Sequence, residues 1–234
     1  LAQGLTEQAL GCAYTKTSCC GKCGGCGSAE PSEQTERNGA RLAIAGNPNC
    51  GKTTLFNALT GARETVGNWP GVTVERKEGR ASAGRYDLTL VDLPGVYSLT
   101  ANSTEETVAR EYLLSGQADA VLIVADAVNL ERNLYLTLQI ASLGSPAVLA
   151  LNMMDEAASQ GLRIDCARLA GRLGLPVVPV SARTGQGLEA LTDCLARLLD
   201  CVQNGRWKEA QLRCPLNGEA ERRYAEMERA IGAA

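Results

Sequence analysis

The stretch Gly46-Asn47-Pro48-Asn49-Cys50-Gly51-Lys52-Thr53 fits the phosphate-binding pattern G-x-x-x-x-G-K-[ST] at every constrained position. It constrains the chain more than any other feature, because such a loop works only between a strand and a helix. Both neighbours are predicted. Arg41-Leu42-Ala43-Ile44-Ala45 reads as a buried strand, and Leu55, Phe56 and Leu59 fall at helical spacing just after the loop. Gly46 and Gly51 let successive main-chain N–H groups turn inward on a polyphosphate, with the positive end of a helix behind them. Lys52 is then placed to reach the β- and γ-phosphates, and the Thr53 hydroxyl to ligate Mg²⁺. A Gly-rich turn that merely contains a lysine is the competing reading; the flanking strand and helix weigh against it.

The elements that follow are consistent with a nucleotide switch. Thr65-Val66-Gly67-Asn68-Trp69-Pro70-Gly71-Val72-Thr73-Val74-Glu75 holds two glycines and a proline and is predicted as a loop, with Thr73 as a second hydroxyl ligand for Mg²⁺. Tyr86-Asp87-Leu88-Thr89-Leu90-Val91 reads as a strand that delivers Asp92-Leu93-Pro94-Gly95. Asp92, at a strand's carboxyl end, can hold Mg²⁺ through water, and the Gly95 amide can approach a γ-phosphate unobstructed. Ser103 or Thr104 caps the next helix, which carries Glu105 and Glu106 in its first turn. Buried strands at 120–125 and 146–151 and a helix at 130–143 lead to Asn152-Met153-Met154-Asp155. A carboxylate offers only acceptors, so Asp155 can take two hydrogens from the N1–H and 2-amino group of guanine but meets an acceptor on adenine. After a last strand at 176–180, Ser181-Ala182-Arg183 presents backbone amides to the guanine carbonyl, and a closing helix buries Leu188, Leu191, Leu195 and Leu198. The predicted nucleotide-binding set is the loop from Gly46 through Thr53 with Thr54, then Gly71, Val72 and Thr73, Asp92 through Gly95, Asn152, Met153 and Asp155, and Ser181 through Arg183.

The expected fold is an α/β P-loop NTPase, small-GTPase-like, with a mostly parallel central sheet and helices on both faces. A chain of 234 residues holds one such core plus a smaller appendage. The formal net charge of −3 gives no basic footprint for nucleic acid. The longest apolar strand, six residues between Asp119 and Asp126, is far short of the ~20 that span a bilayer. With no histidine in the chain, an imidazole base or ligand is excluded. The chain starts at Leu1, not methionine, without a secretory signal, and is expected to be a soluble fragment or processed form. Five of its ten cysteines lie in the first 26 residues. Cys19, Cys20, Cys23 and Cys26, with C-x-x-C spacing in a Gly-rich setting, can hold Zn²⁺ or an iron–sulfur cluster; a disordered tail with incidental thiols fits the same composition. Three regions follow: a cysteine-rich tail and linker (1–39), a G domain (40–201) and the start of a truncated helical domain (202–234), including one charged amphipathic helix at 217–231.

The five motifs, taken with Gly67-Asn68-Trp69-Pro70-Gly71-Val72-Thr73-Val74-Glu75, Asp92-Leu93-Pro94-Gly95-Val96-Tyr97-Ser98-Leu99 and Asn129-Leu130-Glu131-Arg132-Asn133-Leu134, resemble the cytosolic G domain of the FeoB-type ferrous iron transporter over residues 40–200. The resemblance implies GTP hydrolysis, a helical spacer domain, and as partners an inner-membrane ferrous iron permease in the same full-length protein, small accessory proteins of the Feo system and further copies of the chain. It places this region on the cytoplasmic side of the membrane. Many G domains carry a water-orienting glutamine where Val96 stands here, so hydrolysis is expected to be slow. In potassium-activated relatives an asparagine matching Asn49 and carbonyls matching Gly67 and Trp69 hold K⁺. The catalytic set is then Asn49, Lys52, Thr73 and Gly95. Cys50 reads either as a filler or as a thiol activated by its electropositive loop. Two rival functions stay open: an RNA-associated GTPase, and a metal-sensing module attached to a G domain.

Overall fold

The computed structural model describes residues 38–62 and 64–207. The cysteine tail and the charged helix expected at 217–231 lie outside them. The described chain runs β1 (Asn38–Gly46), α1 (Lys52–Thr60), β2 (Glu64–Asn68), β3 (Glu75–Ala83), β4 (Tyr86–Asp92), α2 (Thr104–Leu114), β5 (Ala120–Asp126), α3 (Leu130–Ser142), β6 (Ala147–Asn152), α4 (Met154–Ser159), α5 (Cys166–Leu173), β7 (Val177–Pro179) and α6 (Leu188–Gln203). One seven-stranded sheet has the order β2-β3-β4-β1-β5-β6-β7. β4, β1, β5, β6 and β7 are parallel, and β3 pairs antiparallel with both β2 and β4.

The central strands are apolar along both faces because helices cover both. Alternate residues of β1 serve the two sides: Ala43 and Ala45 pack with α2 and α3, while Leu42 and Ile44 pack with α1 and α6. β5 divides in the same way, Val121, Ile123 and Ala125 against Leu122 and Val124. Leu55 and Phe56 of α1 are fully buried, each contributing about 1.5–3 kcal/mol. In α6, Leu191, Leu195, Leu198 and Leu199 are buried and Leu188 lies partly buried beside them.

Local signals bound the helices, at the start of α2 as expected. Ser103 caps α2 by accepting the Glu106 N–H at 3.1 Å, and Glu105 and Glu106 stand in its first turn. α1 stops at Gly61, in the left-handed conformation.

The structure departs from the expected loop at 65–75 in its first half. Glu64–Asn68 is the edge strand β2, whose five residues are all exposed and are ordered by main-chain pairing with β3. β3 carries no apolar alternation, with Glu75, Arg76, Lys77, Glu78 and Arg80 among its nine residues. It forms because a two-residue turn, Gly84-Arg85, folds it back on β4, with Ala83 opposite Tyr86. It fits against α1 because a side chain at Gly79 would come within 2.5 Å of Thr60. At the far end, α6 runs through Gln203, so the boundary expected at 201–202 falls inside its last turn. Asp200 on that turn binds Arg85 at 2.6 Å and the Tyr86 hydroxyl at 2.7 Å, fastening the β3–β4 turn to α6.

Candidate nucleotide site

The motif loops gather at the carboxyl ends of the parallel strands, where open α/β sheets hold ligands. β1 ends at Gly46 and α1 begins at Lys52, with Asn49 (φ 65°) and Gly51 (φ 81°) in the left-handed region. A Cβ on Gly46 would lie 2.6 Å from the Val124 carbonyl oxygen, so only glycine passes between β1 and β5 here. Gly51 precedes the helix, and no acidic residue stands in the first turn of α1. The exposed positive end of the helix is therefore not compensated from within. Thr53 and Thr54 are exposed at that end.

Lys52 Nζ lies 2.6 Å from Asp92 Oδ1, and both side chains are nearly buried. Burial raises the Asp92 carboxyl above its ordinary value, and Lys52 pulls it back down. The Asp92-Leu93-Pro94-Gly95 turn is laid along the end of β1 and the first residue of the phosphate loop by two main-chain bonds, the Leu93 N–H donating to Ile44 O and the Val96 N–H to Gly46 O. A Cβ on Gly95 would stand 3.3 Å from Pro48 Cα. Gly95 is exposed, whereas Leu93 and Val96 point into the core. Val96 therefore occupies the glutamine position with its side chain turned away from solvent.

The base end is joined to the phosphate end through Asn152, which is 2% exposed. Its Nδ2 donates to Cys50 O at 3.0 Å, and its Oδ1 accepts the Ala182 N–H at 3.0 Å. Asn152 thus braces the phosphate loop against Ser181-Ala182-Arg183 and does not present its amide to a base. Met153 adopts φ 61°, and the turn places Asp155 in the first turn of α4. There Asp155 Oδ2 accepts from Arg183 Nη2 at 2.7 Å, which lowers the Asp155 pKa.

The first switch is the least complete part of the expected site. Gly71 and Thr73 are exposed and Val72 is half-buried. Gly67 lies opposite Arg76 in the β2–β3 ladder, and the Trp69 carbonyl accepts the Val72 N–H at 3.3 Å. Of the groups expected to hold K⁺, only Asn49 stands exposed on the phosphate loop; the Trp69 carbonyl is engaged in a turn. The Trp69 ring is buried edge-on to Tyr112 of α2 at 5.2 Å, with the Arg76 guanidinium 4.8 Å over its face. Among the described residues no atom accepts its indole N–H.

Cys50 is 1% exposed, and burial pushes its thiol up to about 11. That removes the activated-thiol reading and leaves the filler. Among the described residues no three Cys, Asp or Glu side chains cluster as a metal site.

Two contacts escaped sequence reasoning. Asn47, a buried member of the phosphate loop, donates to Arg132 O at 3.4 Å, and the Arg132 guanidinium stacks 4.2 Å over the Tyr97 ring. The string Asn129-Leu130-Glu131-Arg132-Asn133-Leu134 was the signal that could have located them.

Residues 40–195 match the family described as ferrous iron transport protein B. The chain belongs to that family. The Fe(2+) transporter FeoB of Shigella flexneri is 57% identical over 154 residues, 64% of this chain and 20% of the relative. The chain thus spans about a fifth of the length of the curated relatives it matches. The G domain of the T. maritima FeoB iron transporter superimposes with TM-score 0.65 at 48% identity, covering 69% of this chain and 99% of that one. The T. maritima cytosolic domain in a GDP form gives TM-score 0.66 at 49% identity, covering 70% and 63%. The α/β P-loop fold is therefore that of a FeoB G domain. No helix among the described residues is long and apolar enough to cross a membrane.

Proposed function

We propose that this chain binds GTP and GDP and hydrolyses GTP slowly, as the regulatory switch of a ferrous iron transporter. The observation that carries the reading is the brace at Asn152, which holds the phosphate loop and the base-reading segment in one unit through two buried hydrogen bonds. The GDP named for the T. maritima relative supports it.

The residues divide the work. Main-chain amides of the loop from Gly46 through Thr53 wrap the phosphates, and Lys52 exchanges Asp92 for a phosphate oxygen. The Thr53 hydroxyl, exposed at the helix start, and the Asp92 carboxylate, paired with the neighbouring Lys52, are hard oxygen donors that suit Mg²⁺, Asp92 through water and Thr73 as a further donor from the first switch. Bound Mg²⁺ would neutralise charge between the β- and γ-phosphates. Gly95 offers its N–H to the γ-phosphate, and with Val96 buried no side chain at that position orients the attacking water. Slow turnover follows. Asn49 is the phosphate loop's contribution to a K⁺ site, completed by the Gly67 and Trp69 carbonyls once the Trp69–Val72 turn opens.

Iron passage belongs to a membrane permease domain, with this region on the cytoplasmic side; Feo accessory proteins and further copies of the chain complete the assembly. The test is a GTPase assay with GTP and ATP, each in potassium and in sodium buffer. GTP-selective hydrolysis, faster in potassium and lost with Lys52→Ala, is expected. Equal retention of ATP would remove the guanine assignment, and equal rates in the two cations would remove the K⁺ role of Asn49.

A further inference from the structure

We propose that Arg183 is an internal competitor of the base: its guanidinium occupies Asp155 in the absence of nucleotide and must be displaced before guanine can be read. The inference rests on the assignment of Asp155 as base reader made above.

Three observations carry it. First, Arg183 Nη2 stands 2.7 Å from Asp155 Oδ2, at the carboxylate that guanine needs. Second, the two donors are chemically alike. The N1–H and 2-amino group of guanine form a planar fork of parallel N–H donors, and an arginine presents the same fork to a carboxylate. Here Arg183 reaches one oxygen, Oδ2, through a single Nη2 donor, and so takes one of the two acceptors that guanine would use; adenine, with an acceptor at N1, cannot replace it.

Third, the pivot is fixed and the arm is free. The backbone around Arg183 is tied down: the Ala182 N–H is held by Asn152 Oδ1, the Ser181 N–H by Gln186 O at 2.9 Å, and the Gly185 N–H by Ser181 O at 2.9 Å. The Arg183 side chain is 81% exposed, against 23% for Asp155. Only the side chain has to swing away to vacate the carboxylate. An exposed ion pair of this kind is worth at most a factor of about five in an equilibrium. The competitor therefore tunes affinity without blocking the site.

Inosine diphosphate separates this role from a structural one. It keeps the N1–H but lacks the 2-amino group, so it can use one Asp155 oxygen while Arg183 retains the other. Removing Arg183 should favour GDP more than IDP. The experiment measures dissociation constants of GDP, IDP and ADP for the unmodified chain, Arg183→Ala and Arg183→Lys, with thermal melts to verify folding. Expected for Arg183→Ala is GDP binding tightened about two- to five-fold, a smaller gain for IDP, and Arg183→Lys in between. Unchanged or weakened GDP binding would overturn the proposal, as would equal gains for GDP and IDP. If the unmodified chain binds ADP as tightly as GDP, the base-reading assignment itself fails.

Discussion

Replacing Asn152 by alanine tests the joint on which the site depends. The side chain is almost wholly enclosed and makes two bonds of 3.0 Å, to Cys50 O and from the Ala182 N–H. Alanine strands both main-chain partners in the interior. A buried polar group left without a partner costs about 1–3 kcal/mol, so two place the loss at about 2–6 kcal/mol. Partial relaxation argues for the lower half of that range, about 3 kcal/mol. This is a large part of the ~5–15 kcal/mol that holds a domain of this size together. The midpoint of thermal unfolding should fall by about 6–12 °C. Nucleotide affinity should fall further than stability explains, because the freed phosphate loop and base segment lose their mutual position. The assay is urea unfolding with and without GDP, alongside direct GDP titration. Asn152→Asp keeps the acceptor for Ala182 but sets an oxygen against Cys50 O, and should be no better than alanine. A variant within about 0.5 kcal/mol of the unmodified chain, with GDP binding intact, would refute the brace.

Further outcomes follow from the same geometry. Gly51→Ala forces a side chain into φ 81° and sets its Cβ 2.3 Å from Asn152 Nδ2; calorimetry should show GDP binding abolished, and unimpaired binding would contradict the loop geometry. Burial raises the Asp92 pKa, so its contribution to stability is whole below the ordinary carboxylate value and is lost as pH rises through the folded-state value. Lys52→Met removes the group that limits this rise, so as pH rises above the ordinary carboxylate value the urea midpoint of the variant should lose more ground than that of the unmodified chain. A parallel pair of pH profiles would discredit the Lys52–Asp92 linkage. Cys50 and Cys194, both with thiols raised to about 11 by burial, should resist alkylation near pH 8 while exposed Cys201 reacts. Mass mapping that finds Cys50 modified as fast as Cys201 would contradict its enclosure.

What could be read from the residues was whatever short-range chemistry enforces. The turn at Gly46 and Gly51, the cap at Ser103, the buried strands around Leu122 and Leu149 and the leucine stripe of α6 each announce themselves within a few positions. β3 did not, because its charges follow no period and its existence depends on the Gly84 turn and on Gly79 facing Phe56. β2 was hidden likewise, since an exposed edge strand needs no apolar pattern. At the site, residue types were legible and partners were not. Asp155 and Arg183 were both marked for the nucleotide, yet 28 residues of chain separate the pair that holds one to the other. Asn152 belonged to a base-reading motif by order, whereas the fold spends both ends of its amide on scaffolding. Trp69 lay in an expected loop, and only the tertiary structure reveals its seat against Tyr112.

That seat ties the first switch to α2. Enclosing the indole against Tyr112 and beneath Arg76 favours the closed position, and the lack of an acceptor for its N–H among the described residues offsets part of that gain. If Thr73, four residues along, is drawn to a nucleotide as proposed above, the Trp69–Tyr112 contact is the one that the movement would strain. Indole emission moving to longer wavelength would register the moment.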